Sequence, residues 1–437
     1  MDRNVSNKKP LVCLVDSRDD GHHPTYAAVY AQVLRELGCD VWLAAPARMI
    51  AAMPQAEVRG EAAGSLTMKP WEPPDRPATG TTRPELHVSR LWETLGSAID
   101  QASRSAGRYP DLMLHLYLDD FVTEMLPRRA VEDRIRCPFA GLWFKPPLRR
   151  PPTWREAAKR LVRFGRRYPL LRSRQCAGIL LLDASDSRHL SRGGLPRIVE
   201  VPEVSNDVLP TAEPDIVADI RRRAAGRSIF SVVGSLEGRK GLRPFLEALE
   251  VAPTNEWFFV MAGKIQRNMM DPETSRLLDT LITSRDPRVF LVDRWLDDEI
   301  LNAIVACSNL VHVYYFDWVY SSNMICKAAA CDVPAIGGVA GYIGRMIRTY
   351  DLGFTVKAPP ELAARFIPGF AADVAAFQKS VAFRDGCRRY RAANNPAVLG
   401  NALCQLLQGC LPASHFAPEG EVGSLQRRSV EMPLHAS

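Results

Sequence analysis

The chain has 437 residues, of which 46% are hydrophobic and 24% are charged. This balance excludes an intrinsically disordered protein, and no uninterrupted apolar run approaches the ~18 residues that a membrane-spanning helix needs. The apolar stretch after the charged N-terminus is broken at once by Asp16, Arg18, Asp19 and Asp20, which argues against a signal peptide. The ten cysteines include no CxxC pair, so we expect neither a disulfide scaffold nor a structural zinc site. These features predict a cytoplasmic protein.

The first half of the chain alternates apolar runs of strand length with segments of helical spacing. The run PLVCLVDS predicts a buried strand, YAAVYAQVLRELG a helix that ends at Gly38, and VWLAAP a second strand. This order is the βαβ unit of a parallel sheet. Residues 55–85 are rich in Pro, Gly and Thr and are predicted to be irregular. A helix over 86–105 and the strands PDLMLHLYL, FAGLWF, AGILLLD and RIVEVPEV complete the first half.

The second half repeats this alternation after a segment rich in proline and acidic residues, which predicts a linker over 206–225. SIFSVVGS, WFFVMAG, VFLVDRW, LVHVYYF and VPAIGG read as strands, and LRPFLEALE reads as a helix. The fold class is therefore α/β, with doubly wound, Rossmann-like domains over 8–205 and 226–385. A helical segment follows over 386–410, and residues 411–437 show no periodicity, which predicts a disordered tail.

Neither half carries the glycine pattern GxGxxG of dinucleotide-binding enzymes or a Walker lysine loop, which excludes those classes. The most informative segment is SVVGSLEGRKGLRPFLEALE, residues 231–250. A predicted strand ends at Gly234, a short loop carries Arg239 and Lys240, and Gly241 leads into a helix. Two cations beside a helix N-terminus can bind a diphosphate, because fixed N–H groups and positive charge act on the same anion. The alternative is that both cations lie in a solvated turn.

This segment resembles the retaining glycosyltransferases of the GT-B fold, in particular glycosyltransferase family 4 and its bacterial relatives. In that family a strand, a glycine, a short loop and Arg/Lys-Lys-Gly carry the lysine that contacts the donor diphosphate, and Lys240 matches this lysine. Over about 150 residues, three further segments follow in the family's order: WFFVMAGK, VFLVDRWLDDEILNAIVACSNLVHVYY and SSNMICKAAACDVPAIGGVAGYIGRMI. The resemblance implies two facing domains and a C-terminal helix, 386–410, that returns to the first domain.

The resemblance also assigns residues to the donor site. The family has two glutamates eight positions apart, and the second, which binds the donor ribose, corresponds here to Lys327. An ammonium cannot accept hydroxyl protons, so Lys327 either reaches a phosphate or has no role. Val319 occupies the first position, and Asp317, the nearest carboxylate, either takes the catalytic, sugar-facing role or is a surface residue.

Two serines and one departure complete the assignment. Ser321 and Ser322 precede a predicted helix, where they cap its N-terminus and, as in the family, offer hydroxyl and N–H groups to the diphosphate. Ser235 stands where many members have an arginine, so one phosphate-binding cation is missing. The same family assignment makes His115, at the end of the strand DLMLHLYL, a catalytic residue that touches the donor sugar. The alternative for His115 is a packed core position.

The loop DSRDDGHHP places Gly21, His22 and His23 after the first strand. A metal site is disfavoured there, because adjacent histidines cannot easily share one ion. Doubly wound domains bind ligands at the carboxyl edge of the sheet, and in the resembled family this loop faces the cleft between the domains.

The net charge of +7 comes largely from one block: eleven Lys or Arg residues lie between Lys145 and Arg174 against one acid, Glu156. Within it, residues 153–167 interleave basic and apolar side chains, which is typical of a helix that lies on an anionic membrane surface. The alternative is a solvated helix. Nucleic-acid binding is not expected, because the aromatic platforms for stacked bases are missing.

Together these features predict a hexosyltransferase that moves a sugar from a nucleotide-diphosphate-sugar to an acceptor in the interdomain cleft. The resemblance implies retention of configuration, no metal and no cofactor beyond the donor. The acceptor is expected to be lipid-linked or a polysaccharide or glycan precursor. Two alternatives remain: a catalytically degenerate GT-B scaffold, suggested by Ser235 and Lys327, and a GT-B nucleotide-sugar epimerase.

Overall fold

The structure is a computed structural model that describes residues 8–19, 21, 23–53, 62–75, 84–123, 126–146, 169–183 and 197–411. These residues form two compact units. Unit 1 contains the chain up to Pro202 and again from Asn395, and unit 2 contains Glu203–Asn394. Each unit is built on one parallel β-sheet with flanking helices, as the alternating sequence pattern predicts.

The sheet of unit 1 has seven strands in the order β3-β2-β1-β4-β5-β6-β7, all parallel. The strands are β1 (Leu11–Val15), β2 (Asp40–Ala45), β3 (Leu66–Pro70), β4 (Leu112–His115), β5 (Phe139–Leu142), β6 (Cys176–Leu181) and β7 (Ile198–Glu200). Its central strands are buried on both faces because helices cover the sheet. The described helices of this unit are α1 (His23–Glu36), α2 (Ala47–Ala51), α3 (Pro84–Ala106), α4 (Arg129–Glu132) and α14 (Pro396–Cys410).

The sheet of unit 2 has six parallel strands in the order β10-β9-β8-β11-β12-β13. The strands are β8 (Ser228–Val233), β9 (Trp257–Ala262), β10 (Val289–Val292), β11 (Leu310–Val313), β12 (Ala335–Gly338) and β13 (Gly353–Val356). The helices are α5 (Asp215–Ala224), α6 (Leu242–Val251), α7 (Pro272–Ser284), α8 (Asp298–Ala306), α9 (Asn323–Ala330), α10 (Gly341–Thr349), α11 (Pro359–Ala363), α12 (Phe370–Lys379) and α13 (Val381–Ala393).

Strand β9 shows how the sheet of unit 2 supports two hydrophobic cores. Alternate residues of a strand point to opposite faces. Accordingly Phe258 and Val260 pack in one buried cluster, whereas Trp257, Phe259 and Met261 pack in another. All six residues of β9 are fully buried, so its continuous apolar run reports burial on both faces rather than amphipathic alternation.

In both sheets the chain reverses its winding direction beside the first strand of the unit, between β1 and β4 and between β8 and β11. In doubly wound sheets such a switch point opens a crevice at the carboxyl ends of the strands, and ligands bind there. Ligand-binding residues are therefore expected in the loops that follow Val15, His115, Val233 and Val313.

The structure differs from the sequence expectation at two sheet edges and at the domain boundary. Residues 55–85 include the edge strand β3, which pairs with β2, and the strand β13 was not expected at all. Residues 206–225, expected as a linker, belong to unit 2. Their helix α5 buries Val217, Ile220 and Ala224 in a core of that unit. The helix α13 also belongs to unit 2, so the segment that returns to unit 1 begins at Asn395 rather than at residue 386.

Two consecutive asparagines mark the point where the chain leaves unit 2. The side-chain oxygen of Asn394 accepts the backbone N–H of Glu203, 3.1 Å away, so the first and last residues of unit 2 are hydrogen-bonded to each other. The side-chain oxygen of Asn395 instead caps α14 by accepting the N–H groups of Ala397 and Val398 at 2.9 and 3.0 Å. Helix α14 then packs against α1, β6 and β7 of unit 1.

Candidate functional site

The loop that follows β8 brings a lysine directly over the end of the strand. Gly234 leaves the strand with φ +94°, a 3₁₀ turn spans Gly238–Lys240, and Gly241, with φ +69°, precedes α6. The ammonium of Lys240 lies 3.5 Å from the carbonyl oxygen of Val233, and a Cβ on Gly234 would be 2.7 Å from that ammonium. Glycine at position 234 therefore leaves room for Lys240 at the carboxyl edge of the sheet.

The electrostatics of Lys240 favour an anion. Burial, and then the neighbouring charge of Arg239, lower its pKa to about 8, whereas the carboxylate of Glu237 acts in the opposite direction. Among the described residues, the hydrogen bond to Val233 is the single one that the ammonium makes. A largely desolvated cation with one weak partner is stabilised when a negatively charged ligand binds to it.

Arg239 is held by aromatic side chains from the loop after β11. Its guanidinium lies 4.2 Å from the ring centroid of Trp318 and forms an ion pair with the buried Glu237. The carbonyl of Arg239 accepts the N–H of Phe316 at 2.8 Å, so the two loops are also joined through the backbone. Both predicted cations thus lie where the loops after β8 and β11 meet.

Ser322 occupies the N-cap of α9, as predicted. Its hydroxyl accepts the N–H of Met324 at 3.3 Å and donates to the hydroxyl of Tyr315 at 3.1 Å. The ring centroid of Tyr315 lies 5.8 Å from the guanidinium carbon of Arg239, so Tyr315 links the helix N-terminus to the loop that carries the two cations. Ser321 contributes its carbonyl oxygen, which accepts the indole N–H of Trp318 at 2.9 Å. Whether either serine contacts a diphosphate stays a prediction.

Asp317 is exposed in the tight turn between Phe316 and Trp318, with φ +48°. Aspartate tolerates this left-handed conformation better than most residues because its short side chain can hydrogen-bond locally. Phe316 hydrogen-bonds the carbonyl of Arg239 and Trp318 contacts its guanidinium, so Asp317 belongs to the same loop cluster as the cations. Its sugar-facing role stays a prediction.

Lys327 has a different environment from the one that a donor contact requires. Its side chain is 1% exposed, and its ammonium donates to the carbonyl of Asn206 (2.7 Å), to Asn302 Oδ1 (2.7 Å) and to Asp298 Oδ1 (3.1 Å). All three acceptors are protein groups of unit 2. The structure therefore assigns Lys327 to the packing of unit 2, and its predicted contact with the donor does not agree with this geometry.

His115 is likewise a core residue. It is fully buried, and its ring packs against Phe121, Trp92 and Phe139 at centroid distances of 4.4, 4.9 and 6.1 Å. Neither ring nitrogen has a hydrogen-bond partner among the described residues, and burial lowers the pKa of the imidazole to about 3. A side chain with no exposed surface cannot touch a sugar, so the packed alternative describes His115 and the catalytic role does not.

The predicted loop of unit 1 lies at the carboxyl edge of its sheet. Gly21 is in a turn with φ +60°, and His23 is the first residue of α1 rather than a loop residue. His23 Nδ1 lies 2.7 Å from Oδ2 of Asp16, a fully buried residue directly after β1. His22 lies outside the described residues. The sequence signal for Asp16 was its position as the first polar residue after an apolar strand.

A second carboxylate, Asp119, fixes the end of β5. Its two oxygens accept the backbone N–H groups of Phe144 and Lys145, each at 2.9 Å. Burial raises the pKa of this carboxyl to about 6, although both hydrogen bonds oppose that shift. Asp119 therefore organises the loop after β5.

Two further predictions concern metal and membrane. Within the described ranges, no group of three or more His, Cys, Asp or Glu residues could hold a metal ion. The basic segment 153–167 and the tail from residue 412 lie outside the described residues. No helix in the described part of the chain is both long and apolar enough to span a bilayer.

Two doubly wound parallel sheets, each with its polar loops at the switch point, define a protein of the GT-B fold. Solved structures bear this out. A sucrose-phosphate synthase from Thermosynechococcus elongatus is 15% identical with a TM-score of 0.62, over 92% of this chain and 98% of that chain. HepE from Anabaena, in complex with UDP and glucose, is 13% identical with a TM-score of 0.60, over 91% and 99%.

An α,α-trehalose 6-phosphate synthase from Burkholderia multivorans is 12% identical with a TM-score of 0.58, over 92% of this chain and 98% of that chain. Structural neighbours of this chain are thus glycosyltransferases of the GT-B fold, as the sequence resemblance predicts. No protein-family model matches the sequence. No curated protein matches it either.

Proposed function

We propose that the protein is a glycosyltransferase that takes a sugar from a nucleotide-diphosphate-sugar, with a uridine nucleotide as the first candidate. The observation that carries this proposal is the ammonium of Lys240, which lies over the end of β8 and has one weak hydrogen-bond partner among the described residues. The GT-B fold supports it, and the HepE neighbour is described in complexes with UDP and with UDP-glucose.

In the proposed reaction the diphosphate is the leaving group and gains charge as the glycosidic bond breaks. Lys240, Arg239 and the N-terminus of α9, with Ser321 and Ser322, would stabilise that charge without a metal. The acceptor hydroxyl would attack from the same face of the hexose, with a phosphate oxygen taking its proton, which gives retention. Asp317 would face the sugar.

The acceptor is proposed to be lipid-linked or a glycan precursor, and the basic segment 153–167 is proposed to hold the enzyme on an anionic membrane surface. The sequence supports this, because basic and apolar residues interleave there. Co-sedimentation with phosphatidylglycerol vesicles, against neutral phosphatidylcholine vesicles, tests the surface. Equal sedimentation with both would contradict it.

Isothermal titration calorimetry with UDP, GDP and ADP, with and without Mg²⁺, tests the donor site. We expect one nucleotide to bind, and Lys240→Ala to weaken that binding by about tenfold to a hundredfold, because a charge-assisted contact contributes about 1.5–3 kcal/mol. The matched control is Lys379→Ala, which removes an exposed lysine at the end of α12. Equal weakening in both variants would contradict the proposal.

Turnover separates the remaining classes. A transferase releases the nucleotide from its sugar conjugate and forms a product in which the sugar is joined to the acceptor. Nucleotide binding with no turnover would indicate a degenerate scaffold, and consumption of the free sugar conjugate into an isomer would indicate an epimerase. The structural neighbours do not favour either alternative.

A further inference from the structure

The pair formed by Asp16 and His23 lies in unit 1 and takes no part in the proposed donor site. Asp16 follows β1 and is fully buried. Its Oδ1 accepts the backbone N–H of Arg18 at 3.0 Å, and its Oδ2 lies 2.7 Å from Nδ1 of His23. The position is the switch point of the unit 1 sheet, where ligands of doubly wound domains bind.

Asp16 determines which nitrogen of His23 carries the proton. A carboxylate can only accept, so Nδ1 of the imidazole must donate, and in the neutral ring the lone pair then lies on Nε2. The side chain of His23 is 17% exposed, and no group among the described residues hydrogen-bonds its Nε2. Within the described part of the chain, the neutral ring thus offers one acceptor atom that no protein group occupies.

The ring is also held in place from the side. Its centroid lies 5.2 Å from that of Tyr117 in an edge-on arrangement. Tyr117 in turn carries the guanidinium of Arg18 at 4.4 Å, and Arg18 is bonded by two nitrogens to Asp120 at 3.1 and 3.2 Å. The buried carboxylate and this aromatic contact fix the imidazole before any ligand arrives, which reduces the entropy lost on binding.

We infer that His23 binds a hydroxyl group of the acceptor substrate, by accepting its hydrogen bond at Nε2, and that Asp16 is the positioning residue for this contact. The inference rests on the proposed glycosyl transfer and names the class of acceptor group that unit 1 binds. A hydroxyl suits an unprotonated nitrogen because it donates, whereas a phosphate or carboxylate offers only lone pairs to the same atom.

The protonation state of His23 provides the first test. The full-length chain is labelled with ¹⁵N-histidine, the His23 resonances are assigned by their loss in His23→Phe, and long-range ¹H–¹⁵N spectra are recorded at pH 7.5. We expect a protonated Nδ1 and an unprotonated Nε2. An imidazolium with both nitrogens protonated would overturn the inference, since such a ring binds anions.

Neutral polyhydroxylated probes provide the second test. D-glucose, D-mannose, D-galactose and glycerol are titrated into the labelled chain with UDP present, and at least one is expected to shift the Nε2 resonance of His23. Asp16→Asn should populate the other tautomer of His23 and weaken the binding of that probe at least tenfold. His23→Gln, which keeps an acceptor oxygen, should bind the same probe more tightly than His23→Phe does. A ring that no probe perturbs would overturn the inference.

Calorimetry with UDP separates this inference from the proposed function. The variants at positions 16 and 23 and the control Glu36→Gln, on an exposed face of α1, should all bind UDP as the wild type does, because unit 2 is unchanged. If none of UDP, GDP and ADP binds to the wild type, that result contradicts the proposed function and not the hydroxyl site. If the variants lower the thermal midpoint but leave probe affinity unchanged, His23 is structural and the inference fails.

Discussion

The ammonium of Lys327 joins three segments of unit 2 that are distant in sequence. Its acceptors are the backbone of Asn206, before α5, and the side chains of Asp298 and Asn302 on α8. The amide of Asn302 adds two bonds to the same segment, to the carbonyls of Asn206 and Val208. One buried lysine thus explains why residues 206–208 pack on unit 2 instead of acting as a linker.

Replacing Lys327 by methionine should therefore destabilise unit 2 by about 3 kcal/mol, because it leaves buried acceptors without a donor. Urea unfolding at pH 7.5 measures this loss. The control is Lys264→Met, whose ammonium makes a half-exposed ion pair with Asp293 and should cost less than about 1 kcal/mol. Unchanged stability together with lost nucleotide binding would instead show that Lys327 contacts the donor.

Site residues were predictable to the extent that their role is local. The glycine, loop and lysine around Lys240 follow one another within eight positions, so the sequence pattern alone indicates their juxtaposition. The environments of His115 and Lys327 depend on residues up to 121 positions away, as in the bond from Lys327 to Asn206. The spacing of residues along the sequence does not predict the burial of a polar side chain by such distant partners.

Among the elements, central strands were predictable and edge strands were not. Every residue of β9 is apolar and buried, whereas β3, LTMKP, is largely exposed and reads as irregular. An edge strand contacts the core with little of its surface, so its sequence needs neither an apolar run nor an apolar–polar alternation. The strand β13, GFTV, begins with a glycine, which is depleted in strands, and pairs only with β12 among the described strands.

The N-terminus of α9 depends on one hydroxyl. Ser322→Ala removes the cap on Met324 and the contact to Tyr315, and it should lower the free energy of unfolding of unit 2 by about 1 kcal/mol. Ser321→Ala is the matched control, because Ser321 acts through its carbonyl, and it should cost clearly less. Thermal denaturation of both variants measures the difference, and equal losses would contradict the capping role.

Across the molecule, both units contain a buried neutral histidine next to the first strand of their sheet. Burial lowers the pKa of His115 to about 3 and that of His312 to about 4, and the Nε2–H of His312 donates to the carbonyl of Lys240 at 3.1 Å. The unfolded chain takes up protons at both histidines below about pH 6.5, and the folded chain does not. Stability should therefore fall as the pH falls from about 6.5 toward 4.

At pH 5 each histidine should lower the free energy of unfolding by about 2 kcal/mol relative to pH 7.5. Urea unfolding of the wild type and of His115→Leu at both pH values checks this. The variant removes the proton uptake of the unfolded state, so the difference between the two pH values should shrink by about that amount for unit 1. An unchanged difference would show that carboxylates, rather than His115, determine the acid sensitivity.

The hydrogen bond between Glu203 and Asn394 has a consequence for how this gene can be rearranged. Because unit 2 starts and finishes at one point, it is inserted into unit 1 as a closed loop of polypeptide, and the next residue, Asn395, already serves the other unit. Unit 2 should therefore be transferable as a cassette. Residues 203–394 expressed alone should unfold cooperatively and bind the same nucleotide as the intact chain, and an aggregated fragment would show that it needs the remainder of the protein.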